Sequence, residues 1–147
     1  MKNQILIILF FVSVNSFSQI DLPDLTSESR IRDYFDKNGA ELIEGIWDYS
    51  SPGTSEYRLA ILKNGYKFHA TIIEKTGKYR PGDLKATFET AATDEVLTIK
   101  WQMGNKRAIK KIVGTVKNNA VIDFYLNGKV MLYRVYPKFN KNNKQKR

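Results

Sequence analysis

The chain has 147 residues, with 24 basic and 15 acidic side chains, a net charge of +9 and no cysteine. That length suits one domain with its own core, and the lack of cysteine excludes disulfides, thiolate metal sites and a lipid attached through a thiol. The charge is uneven, because the tail KFNKNNKQKR (138–147) carries five basic residues and no acid, leaving only a mildly basic body; nucleic-acid binding is not expected.

Residues 1–18 read as a cleaved secretory signal peptide. Lys2 precedes the apolar run ILIILFFVSV, and Ser16 and Ser18 supply the small side chains wanted before a cut at Gln19. The run is shorter than the roughly 20 apolar residues that a membrane span needs. The mature protein is therefore expected to be exported, periplasmic or secreted, not membrane-spanning, and monomeric.

Residues 19–44 form an N-terminal segment with one short amphipathic helix. Thr26 or Ser27 can cap its start, Ile31, Tyr34 and Phe35 share one face, and Asn38-Gly39 supplies a stop.

From Gly45 the apolar period changes to two. Eight extended stretches follow: GIWDYS, EYRLAILK, YKFHATIIEK, DLKATFETA, VLTIKWQM, KRAIKKIVGTVK, AVIDFYL and KVMLYRVY. In the fifth, Leu97, Ile99, Trp101 and Met103 alternate with Thr98, Lys100 and Gln102, the mark of a half-buried antiparallel strand. In the fourth, Leu84, Ala86 and Phe88 alternate with Lys85, Thr87 and Glu89. Two-residue turns are expected at Asn64-Gly65, Gly104-Asn105, Asn118-Asn119 and Asn127-Gly128, since these residues accept positive φ. The longer connections SPGTS and GKYRPG also carry turn chemistry, and every connection is too short for a crossover helix.

The fold class is thus all-β: an eight-stranded antiparallel up-and-down meander, closed into a small barrel over residues 45–137 because closure removes both exposed edges. Residues 138–147 are expected to be a disordered basic tail. An eight-stranded barrel is just wide enough to be filled by side chains or to hold one small ligand.

A short helix, then Gly-x-Trp on the first strand, then an eight-stranded meander with a late arginine resembles the calycin superfamily, the lipocalins in particular. The resemblance rests on Gly45, Trp47 and Arg134 in LYRVY and covers about Thr26 to Pro137. It implies a lipocalin-like barrel whose Trp47 packs at the closed base near the helix, with Arg134 across its ring. It also implies a binding protein for a small apolar or amphipathic molecule, without cofactor or catalysis.

Alternation and aromatic content nominate Tyr57, Leu59, Phe68, Phe88, Ile99, Trp101 and Tyr125 to line a ligand site. The alternative is a solid barrel that recognises a protein, polysaccharide or anionic envelope surface through exposed aromatics such as Tyr49, Tyr66, Tyr79 or Tyr133. The basic cluster Lys106, Arg107, Lys110 and Lys111 suits such an anionic surface. A third reading is an inhibitor or accessory module of a secreted enzyme.

Catalysis is not expected. His69 is the only histidine, which with no cysteine cannot build a usual zinc site; there is no G-x-S-x-G elbow and no phosphate-binding loop. Asp123 reads as a structural residue needing a partner, while Glu41, Glu44, Asp94 and Glu95 read as solvated.

Overall fold

The computed structural model describes residues 24, 26–53, 56–74 and 76–138. The expected signal peptide and the tail beyond Lys138 lie outside the described residues. Helix α1 spans Glu28–Asn38. Ser27 stands at its N-cap in extended geometry without a side-chain capping bond, and Gly39 ends the helix at φ 78°, its N–H donating to the Phe35 carbonyl at 2.8 Å.

Eight strands follow: β1 (Gly45–Ser50), β2 (Tyr57–Asn64), β3 (Lys67–Ile72), β4 (Leu84–Thr90), β5 (Val96–Gln102), β6 (Ile109–Lys117), β7 (Val121–Tyr125) and β8 (Lys129–Tyr136). Each pairs antiparallel with the next, and β1 pairs with β8, so the sheet closes into a barrel without free edges. Asn118 and Asn119 both adopt positive φ in their turn, as their residue type favours. All four expected two-residue turns differ in extent: the first pivots on Gly65-Tyr66, residues 103–108 form a longer loop that includes Lys106 and Arg107, and residues 118–120 and 126–128 make three-residue connections.

Two apolar clusters hold this arrangement. One fills the barrel and includes Trp47, Leu59, Ile61, Phe88, Ile99, Trp101 and Leu132. The other lies outside it, where Ile31 and Phe35 of α1 cover Ile46, Ala60, Leu62 and Ile73. This second cluster explains why Leu59 to Leu62 are all buried in succession: both faces of β2 are covered there, so alternation gives way to a continuous apolar run. Polar contacts fix the helix on the barrel. Arg58 bridges Glu28 on α1 and Asp48 on β1, each at 2.8 Å, and the Tyr136 hydroxyl donates to Asp36.

Elsewhere the outer face carries Lys100, Lys111, Thr115 and Lys117 exposed, while the interior is apolar. Exposed Ile109, Val113 and Tyr125 are interspersed with these polar residues on the outside. Among the described residues no helix is long and apolar enough to cross a membrane.

Strand facing corrects two sequence expectations. Ile122 and Phe124 point inward on β7, so Tyr125 lies outside at 71% exposed, and Asp123 beside it accepts from Thr115 and, at 2.5 Å, from Lys117. On β4 the register shifts at the pairs Ala70–Ala86 and Thr71–Leu84, making Lys85 the extra residue of a bulge. The parity of the strand changes there: Leu84 turns out to solvent and Lys85 turns in.

Candidate functional site

The two ends of the barrel differ. At the end where β1 begins, Trp47 is fully buried and its indole N–H donates to the Ile43 carbonyl at 2.9 Å. Trp47 and Arg134 are register partners across β1 and β8, and the guanidinium lies 4.3 Å from the indole centroid. Arg134 also donates to the carbonyls of Leu42, Glu44 and Asn119, tying the strand entry and the β6–β7 turn to β8. Gly45 is required beside it. Its φ is 145°, and a Cβ would fall on the Tyr136 carbonyl oxygen and within 2.8 Å of Arg134 Nη1. Glu44, expected to be solvated, is instead buried, accepting the backbone N–H groups of Glu41 at 2.9 Å and Lys63 at 2.7 Å. This end is a plug, held by the hydrogen bonds of Trp47, Arg134 and Glu44.

The opposite end is open. A cavity of about 490 Å³ enters the barrel there, a size within the usual range for small-molecule pockets. Tyr49 and Tyr57, register partners on β1 and β2, stack at 4.3 Å. Tyr49 in turn meets Trp101 at 5.7 Å, and Trp101 meets Phe124 at 5.0 Å. Met103, Leu126 and Val130 complete the apolar wall. The rim is made by the connections β1–β2, β3–β4, β5–β6 and β7–β8.

Tyr79 comes from the β3–β4 connection, which folds back on itself through paired bonds between Thr76 and Tyr79. Its hydroxyl reaches the Gln102 and Met103 carbonyls at 3.1 and 2.6 Å, fastening that connection to the end of β5. Asp83 binds Lys106, whose ammonium stands 5.1 Å from the Tyr79 ring. Lys85 lies beside the same ring. Its ammonium donates to the Tyr79 hydroxyl at 3.2 Å and to the Gln102 carbonyl at 2.5 Å, and it stands 4.3 and 5.1 Å from the Tyr79 and Trp101 centroids. Burial pulls its pKa down to about 8.

Of the residues nominated from sequence, Tyr57 and Trp101 line the cavity. Leu59, Phe68, Phe88 and Ile99 do point inward, but they belong to the packed core below it and do not line it. Tyr125 is outside. The barrel is therefore filled in its lower half and open above, an arrangement between the two alternatives that sequence left standing.

Tyr49 and Tyr79, expected outside, are buried at the site, whereas Tyr66 and Tyr133 are exposed. Tyr49 was legible in principle from its pairing with Tyr57, whereas Lys85 depends on the bulge and carried no signal. In the basic cluster Lys106 is paired with Asp83, Lys110 donates to Asn127 at 2.6 Å, and Arg107 and Lys111 stand exposed. His69 faces the outer side opposite Thr87. Among the described residues no group of His, Cys, Asp and Glu could hold a metal ion. Compared with models of protein families, with curated proteins and with solved structures, the chain matches none of them.

Proposed function

We propose that this is an exported, lipocalin-like binding protein that takes a small apolar or amphipathic molecule into the open end of its barrel and performs no chemistry on it. One observation carries the reading: a cavity of about 490 Å³ walled by Tyr49, Tyr57, Trp101 and Met103 stands above a densely packed base. Burying a ligand's apolar surface there contributes about 25 cal/mol per Å². The plugged end keeps the barrel closed while loops form the rim, which separates folding from recognition. The Gly45, Trp47 and Arg134 arrangement is the one expected of a calycin and supports that kinship.

Fluorescence titration with N-phenylnaphthylamine, a neutral two-ring dye, tests the reading. Emission is expected to rise to saturation at one dye per chain, with affinity falling about fivefold in Tyr57→Ala, which removes one face of the aromatic stack. No saturable binding, or binding that Tyr57→Ala and Trp101→Phe both leave unchanged, overturns it.

A further inference from the structure

The cavity's walls are not electrically neutral. Its lining contains Lys78 and Lys85, and among the described residues neither Asp nor Glu. Glu44, Thr71 and Lys85 are the polar side chains buried among the described residues, and their positions differ in kind. Glu44 is satisfied by backbone N–H groups at the plugged end, and Thr71 donates to the Ala60 carbonyl at 3.4 Å. Lys85 alone faces the cavity, 4% exposed, and among the described residues no carboxylate comes within ion-pair distance of it. Asp83, in the same β3–β4 connection as Tyr79, is engaged with Lys106.

A buried ammonium that meets only a carbonyl, a hydroxyl and two ring faces keeps part of its charge uncompensated. The bulge that turns Lys85 inward is thus a local irregularity whose result is a cation in the wall of an aromatic cup. Lys78 in the lining, and Lys110, which donates to the rim residue Asn127, add further positive charge near the entrance.

Resting on the binding-protein reading, we propose that the ligand is an anionic amphiphile: an apolar body of rings or a short chain against Tyr49, Tyr57 and Trp101, carrying one oxyanion headgroup that ion-pairs with Lys85. The anion supplies the counter-charge that the fold withholds. Neutral apolar molecules enter the same cup but gain nothing from the lysine. Selection is then by charge first and by shape second.

A matched pair of dyes tests this directly. Anilinonaphthalene sulfonate and N-phenylnaphthylamine share one ring framework and differ by the sulfonate. The protein is expected to bind the sulfonate at least about tenfold tighter, the factor usual for a hydrogen bond to a charged group. Lys85→Met should remove that preference while leaving the neutral dye's affinity within about threefold, and Lys85→Arg should keep it. Naphthoate or decanoate should displace the bound sulfonate dye, and neutral naphthalenemethanol should not. Equal affinity for the two dyes, a preference that survives Lys85→Met, or displacement by the alcohol overturns the proposal while leaving a neutral-ligand carrier intact. Failure of both dyes to bind removes the binding-protein reading itself.

Discussion

Lys85→Met keeps the length of the side chain and removes its charge from a position that is 4% exposed. Burial lowers the ammonium pKa from an ordinary 10.5 to about 8, and each pKa unit corresponds to about 1.4 kcal/mol, so holding the charge costs about 3 kcal/mol of stability at neutral pH. Methionine forfeits the hydrogen bonds to Tyr79 and Gln102 and the ring contacts, together about 1–2 kcal/mol. At pH 7 the variant is therefore expected to be as stable as the parent or up to about 2 kcal/mol more so.

The pH dependence is the sharper observable. Between about pH 8 and 10.5 the unfolded chain holds a proton on Lys85 that the folded chain has released, so this group makes stability rise with pH. Integrated from about pH 7 to 9.5, the rise is about 2 kcal/mol, or a urea midpoint higher by about 1 M. Tyr34, Tyr57 and Tyr79 are shifted upward by burial, and Tyr136 by its bond to Asp36, so they oppose the trend only near pH 10 and above. Arg134 is shifted downward by burial, as Lys85 is, so the difference between parent and variant, rather than the parent alone, isolates the lysine. Urea unfolding followed by near-ultraviolet circular dichroism at four pH values suffices. A variant that keeps the parent's slope, or a parent with none, refutes the account of Lys85 as a buried cation without a counter-charge.

Other consequences follow from the same geometry. Gly45→Ala places a methyl on the Tyr136 carbonyl and near Arg134, and is expected to destabilise by about 3 kcal/mol or more in thermal unfolding. Phe35→Ala empties the seat of α1 against Ile46, Ala60 and Leu62; a loss of about 3–4 kcal/mol is expected, with the aromatic dichroism of the interior preserved. Tyr125→Ala, at an exposed position, should leave both stability and dye affinity within experimental error, whereas Tyr49→Ala should weaken neutral-dye binding about fivefold or more.

How far the sequence disclosed this molecule depends on which residue is considered. Leu97, Ile99 and Trp101 announce their inward face because β5 keeps strict alternation from end to end. The helix stop at Gly39 and the positive φ of Asn118 and Asn119 follow from residue type. Trp47 and Arg134 were brought together by barrel closure, which itself follows from eight short-looped strands.

Tyr125 was misplaced because β7 alternates two apolar sets, Ile122 with Phe124 and Val121 with Tyr125, and composition does not rank them; the closed barrel does. Leu84 and Lys85 were exchanged by one inserted residue, which reverses side-chain parity without leaving a mark in hydropathy. Tyr79 sits in a connection, where no periodicity applies, and its burial comes from backbone carbonyls contributed more than twenty residues later. The packed base was thus written largely in local pattern. The cup, made of strand ends and loops, was not.

The most direct test of an open cup with a cation in its wall is an amide and side-chain NMR titration of the protein with anilinonaphthalene sulfonate. Shift changes centred on Tyr49, Tyr57, Tyr79, Lys85, Trp101 and Val130, with Trp47 and its neighbours at the plugged end unmoved, are what the account predicts. Changes centred instead on the exposed outer residues Val113, Tyr125 and Tyr133, with the cavity residues silent, would contradict it.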